Sequence, residues 1–65
     1  MITINGQEQP HHEGETLLRR LEALGYRTDV VAVEHNGVIL NRADFAATEL
    51  NDGDKLEVVC FVGGG

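Results

Sequence analysis

Leu17, Leu18, Leu21 and Leu24 recur at helical spacing and form the one apolar helical stripe in the sequence. Thr16 precedes them as an N-cap, its hydroxyl placed to accept from an amide one turn on. Glu13 and Glu15 stand just ahead, near the positive end of the helix dipole. Arg19, Arg20 and Glu22 fall on the wet side, and Gly25 is the residue free to take the left-handed conformation that ends a helix. A single helix with one apolar face has to cover a sheet, and the remaining segments read as strands.

Ile2 and Ile4 alternate within Met1 to Asn5, and Asn5-Gly6 supplies a tight turn. Gln7 to His11 returns as a strand, with Pro10 placing it at or near an edge because proline has no amide donor. Val30 to His35 is a β-branched strand with Val31 and Val33 inward and Ala32 and Glu34 outward. Asn36-Gly37 repeats the hairpin signal, and Val38-Ile39-Leu40 returns. Asp44 to Ala47 forms a short helical turn that docks Phe45. Asp52-Gly53-Asp54 is a turn whose aspartates accept local backbone hydrogen bonds rather than act as an acid and base. Lys55 to Val62 is the last strand. The order is ββαββ with a small turn before the final strand. The expected class is α+β, a mixed sheet with one main helix on one face. If the last strand runs parallel beside the first, the arrangement is a β-grasp. One domain spans 1–62, followed by a tail at 63–65.

Sixty-five residues leave room for one domain. A chain this short buries only ~60% of its unfolded surface, so it has a modest core and no enclosed active site. It reads as a binding module or a substrate of other enzymes, not as an enzyme. The net charge of −6, from eleven acidic and five basic side chains, argues against nucleic acid and against an anionic membrane. It favours basic protein partners, although an acidic surface also serves solubility alone. Cys60 is the one cysteine; it makes no internal disulfide or zinc motif and points to a reducing cytoplasm. It reads as a small apolar core residue rather than a sulfur relay. Met1 to Asn5 is no signal peptide, and no apolar run approaches the ~20 residues of a membrane span. His11 and His12 point to opposite faces of a strand and chelate poorly, so with His35 they give no metal site.

Leu56, Val58 and Cys60 share one face of the last strand, and Glu57, Val59 and Phe61 share the other. A one-sided helix buries one set. Burying the first leaves Val59 and Phe61 on the open face as a docking patch, with Ala32 beside them. Gly63-Gly64-Gly65 then follows with no side chain to anchor it. Such a segment is expected to be flexible and thin enough for a narrow tunnel in another protein. It would bring the Gly65 carboxylate to a buried site. There, attack on the α-phosphate of ATP gives an acyl-adenylate that a sulfur nucleophile displaces. The plain alternative is a frayed end without a role.

These features together resemble the ThiS-type sulfur carriers of thiamine biosynthesis, within the ubiquitin-like β-grasp superfamily. The resemblance runs through Met1-Ile2-Thr3-Ile4-Asn5-Gly6, Thr16-Leu17-Leu18 and Val31-Ala32-Val33-Glu34-His35-Asn36-Gly37. It continues in Ile39-Leu40-Asn41-Arg42 and Asp52-Gly53-Asp54, and closes on Val58-Val59-Cys60-Phe61-Val62-Gly63-Gly64-Gly65. It implies that Gly65 is the site of adenylation and thiocarboxylate formation, with Gly63 and Gly64 its flexible approach. It implies docking through Val59, Phe61 and the adjoining Ala32. It also implies a ThiF-like adenylating enzyme that uses ATP, a sulfur-donating enzyme and a thiazole synthase (ThiG-like) as partners, with no cofactor bound by the chain itself. Carriers for molybdopterin, cysteine or tRNA thiolation share the tail and fold, and so do ubiquitin-like modifiers. A non-covalent β-grasp module with an inert tail is the alternative of a different class.

Overall fold

Both Asn-Gly dipeptides fold as two-residue hairpin loops. Asn5 and Gly6 take φ of 50° and 82°, and Asn36 and Gly37 take 50° and 86°. Positive φ at both central residues gives the turn whose twist matches its flanking strands. In the computed structural model, which describes residues 1–61, the first loop joins β1 (Ile2–Ile4) to β2 (Gln7–Gln9). The second joins β3 (Val31–His35) to β4 (Val38–Leu40). β2 stops short of the expected His11, because Pro10 cannot donate to the ladder. β5 (Lys55–Cys60) lies between the hairpins, in the order β2-β1-β5-β3-β4. It runs parallel to β1 and antiparallel to β3, which makes the sheet mixed and the arrangement a β-grasp.

One α-helix, α1 (Leu17–Ala23), packs on the sheet. Thr16 Oγ1 accepts from the Arg19 amide at 3.3 Å, as its capping role requires. At the other end Gly25 takes φ 86°. The Tyr26 amide reaches back to the Leu21 carbonyl and the Gly25 amide to the Glu22 carbonyl, both at 3.0 Å. This paired closure satisfies carbonyls that the helix end would otherwise leave bare. It also ends the helix at Ala23, so Leu24 is its C-cap and remains 40% exposed instead of completing the stripe.

Arg20 corrects the expected wet face. It is buried, with Nε and Nη2 both bonded to the Glu15 carboxylate and Nη2 also donating to the Pro10 carbonyl at 2.7 Å. Its position three residues after Leu17 turns it toward the core side, and the chain entering the helix wraps over it. Burial is tolerable because the charge is paired and hydrogen-bonded at once.

Ile2, Ile4, Leu17, Leu21, Val33, Phe45, Leu50, Leu56 and Val58 form the core. Each such side chain contributes ~1.5–3 kcal/mol through removal from water. Phe45 docks from a 3₁₀ helix, Arg42–Ala47, that begins earlier than expected. Leu50 has no periodic partner to announce it. It is carried in by backbone pairing, with Leu17 N donating to Thr48 O at 2.8 Å and Leu50 N to Glu15 O at 2.9 Å.

Candidate docking face

The alternation of β5 divides its side chains between the two sides of the sheet. Leu56 and Val58 are buried beneath the helix, while Val59 on the opposite side is 54% exposed. The β3–β5 register sets Ala32 opposite Val59, Val33 opposite Val58 and Glu34 opposite Glu57. The β3–β4 register sets Ile39 opposite Glu34. Ile39 is 74% exposed and Phe61 64%. The Phe61 amide still donates to the Val30 carbonyl at 2.7 Å, so its backbone continues the ladder one rung past β5. Ala32, Val33, Glu34, Ile39, Glu57 and Val59 line a shallow groove of about 150 Å³ on this face.

Side-chain hydrogen bonds from Asn5, Asn36 and Asp54 hold β5 in this register. Asn5 Oδ1 accepts from the Val58 amide at 2.7 Å, and its Nδ2 donates to the Val58 carbonyl at 3.2 Å. The side-chain amide thus extends the parallel β1–β5 ladder where β1 itself turns away. Asn36 Oδ1 accepts from the Lys55 amide at 2.8 Å, and Asn36 Nδ2 donates to Asp54 Oδ1 at 3.0 Å. Asp54 is buried and also accepts from the Asn51 amide at 2.8 Å. Burial opposes ionisation of Asp54, but the Asn51 amide, Asn36 and His35 outweigh it and hold the carboxyl below its usual range.

Ala32 and Val59 therefore lie on one side of the sheet, as alternation predicts, and Phe61 is exposed one rung past the end of β5. Glu34 and Glu57 also lie on this face, as alternation predicts, whereas Ile39 was not foreseen there. The signal was available, because Asn36-Gly37 fixes the pairing of β4 with β3. Cys60 corrects the expectation of a core residue: it is exposed. It sits on the last β3–β5 rung, opposite the half-buried Val31, where the cover over the sheet has run out. Gly63, Gly64 and Gly65, and with them Val62 at the expected end of the last strand, lie outside the described residues. A larger hollow of about 370 Å³ lies between the first hairpin and the end of α1, lined by Ile4, Asn5, Gln7, Gln9, Leu24 and Tyr26. It holds amides and a phenol but no carboxylate, imidazole or thiol, so the smaller groove beside Val59 is the better candidate. Among the described residues no helix is long and apolar enough to cross a membrane.

Residues 2–65 match the ThiS family. The chain is similar to a crystal structure of the thiamine biosynthesis protein (ThiS) from Geobacter metallireducens, with 37% identity and a TM-score of 0.78. That likeness covers 98% of this chain and 97% of the other. It is 42% identical over 64 residues to a thiazole synthase of Paramagnetospirillum magneticum, across 98% of this chain but 20% of that protein. A thiazole synthase of Magnetococcus marinus is 39% identical over 64 residues, again across 20% of its length. The chain thus spans about a fifth of these two relatives. An uncharacterized protein, ycf40, of Pyropia yezoensis is 42% identical over 64 residues and is covered over 90% of its length.

Proposed function

The chain belongs to the ThiS family, and from that premise we propose that it carries sulfur as a thiocarboxylate on Gly65 for thiazole formation in thiamine biosynthesis. The observation that carries this reading is the end of β5. A core strand emerges into exposed Val59 and Phe61, and the sequence then runs through Val62 into Gly63-Gly64-Gly65. A partner can grip the face while the side-chain-free segment enters its active site.

The chemistry belongs to the partners. A Gly65 carboxylate oxygen attacks the α-phosphate of ATP bound by a ThiF-like enzyme, and pyrophosphate leaves. Hydrosulfide delivered by a sulfur-donating enzyme then attacks the acyl carbon, and AMP departs with the former carboxylate oxygen. The resulting thiocarboxylate gives its sulfur to thiazole synthase. This chain supplies the acyl group and the docking face through Ala32, Val59 and Phe61, and acts as a cosubstrate rather than an enzyme. Thiazole synthase as the recipient is supported by the two relatives of that name, in which a segment like this one makes up 20% of the polypeptide. The same fact favours thiamine over the other sulfur-carrier pathways.

The test is intact mass. Incubation with the adenylating enzyme, ATP and a sulfur source should raise the mass by the difference between sulfur and oxygen. No shift, or a shift that survives deletion of Gly65, sinks the proposal.

A further inference from the structure

Resting on that reading, we propose that Glu34 and Glu57 form a two-carboxylate clamp for an arginine on the adenylating partner, beside an apolar recess for that residue's stem and aliphatic neighbours. The two glutamates are direct cross-strand partners on β3 and β5 and share the open face. Like charges directly opposite one another destabilise a sheet. Among the described residues neither glutamate enters an ion pair, although Lys55 lies on the same face one step along β5. The fold therefore bears a repulsion that it does not relieve internally.

The surroundings state what would relieve it. Ile39 stands opposite Glu34, Val59 follows Glu57 on the same face, and the groove between them is largely apolar apart from the two carboxylates. Ile39 is the most exposed of the large apolar side chains on the described chain, at 74%. A lysine would bring one point charge and a well-hydrated head. An arginine brings a planar fork that can face two carboxylates and a stem that can lie on Ile39 and Val59. The net charge of −6 adds attraction at longer range. The patch thus differs from a purely apolar contact: the carboxylates select the partner, and Ile39, Val59 and Phe61 supply the buried area.

The test is the full chain with Glu34→Gln and Glu57→Gln together, titrated against the cognate adenylating enzyme at low and high salt. Glutamine keeps the shape and removes both charges. The expected result is binding about tenfold weaker at low salt with a flattened salt dependence. The unfolding midpoint of the variant should equal or exceed the parent's, since a repulsion has gone, so weaker binding cannot be put down to misfolding. Affinity within about twofold of the parent, with the same salt dependence, overturns the clamp. Intact mass at saturating enzyme separates the two readings. A parent chain that gains sulfur while the variant binds equally well removes the clamp alone. A parent chain that never gains sulfur removes the role of Gly65, whatever the binding shows.

Discussion

His35 Nε2 donates to Asp54 Oδ2 at 2.8 Å, joining the end of β3 to the turn that launches β5. A carboxylate only accepts, so the proton of this bond sits on the imidazole. Asp54 also takes the Asn51 amide and Asn36 Nδ2, so one buried carboxylate gathers three donors from two loops. The second hairpin is thereby pinned to the strand that carries Val59 and Phe61.

Acid should loosen this arrangement. Arg20, hydrogen-bonded to Glu15, holds that carboxyl below its usual 4.5, and Asp54 lies below its usual 3.8 despite burial. Both folded values are depressed. Their stabilisation is therefore complete above the ordinary carboxylate values and is lost as pH falls through the lowered ones. Unfolding measured across a pH series should show stability declining on the acid side of 4.5. Asp54→Asn should cost ~2 kcal/mol at neutral pH, from weakened charged hydrogen bonds, and show a shallower acid limb. Parallel limbs for parent and variant would assign the acid sensitivity elsewhere.

Removing the guanidinium of Arg20 should be among the costlier single changes. Glu15 is 17% exposed, and Arg20→Ala would leave its carboxylate without a cation. The expected loss is ~3 kcal/mol in urea unfolding. Arg20→Lys keeps the charge but cannot face both carboxylate oxygens and the Pro10 carbonyl together, and should lose ~1–2 kcal/mol. Equal stability of the lysine variant and the parent would mean that charge alone matters there.

Asn5 does two jobs that substitution can separate. It holds φ 50° in the hairpin loop, and its side chain bonds Val58 twice. Asn5→Gly keeps the backbone freedom and loses the bonds, at ~1–2 kcal/mol. Asn5→Ala should cost a further ~1 kcal/mol for the left-handed backbone. Thermal unfolding midpoints in the order parent, glycine, alanine would bear this out; coincidence of glycine with the parent would deny the side chain its role.

What could be read from the sequence was local chemistry. The Asn-Gly loops, the Thr16 cap, the Gly25 closure and the docked Phe45 each depend on neighbours in the chain, and each stands as expected. Alternation likewise put Ala32 and Val59 on one side. Burial of a charge depends on what folds over it, and Arg20 is buried because Glu15 and Pro10 come round to meet it. Alternation assigned Cys60 a side but not whether the helix layer reaches that far, and it does not. Asp54 accepts the local Asn51 amide as a turn former should, but its imidazole partner at the end of β3 is distant in sequence and could not be read from its neighbours. The proposed chemistry falls on Gly65, outside the described residues.

The two phenylalanines should respond in opposite ways. Phe45 is 1% exposed and Phe61 64%. Phe45→Ala would open a cavity in a small core and cost ~3–5 kcal/mol, enough to unfold much of the protein. Phe61→Ser removes little buried area from the isolated chain and should change stability by less than ~0.5 kcal/mol. Its effect should appear with the partner, where an aromatic anchor at the centre of an interface commonly carries ~2 kcal/mol or more of the binding energy. Binding to the adenylating enzyme should therefore weaken by more than about tenfold while the unfolding curve stays in place. If Phe61→Ser binds like the parent, the contact lies elsewhere on the molecule. If it unfolds like Phe45→Ala, Phe61 belongs to the fold and not to the docking face.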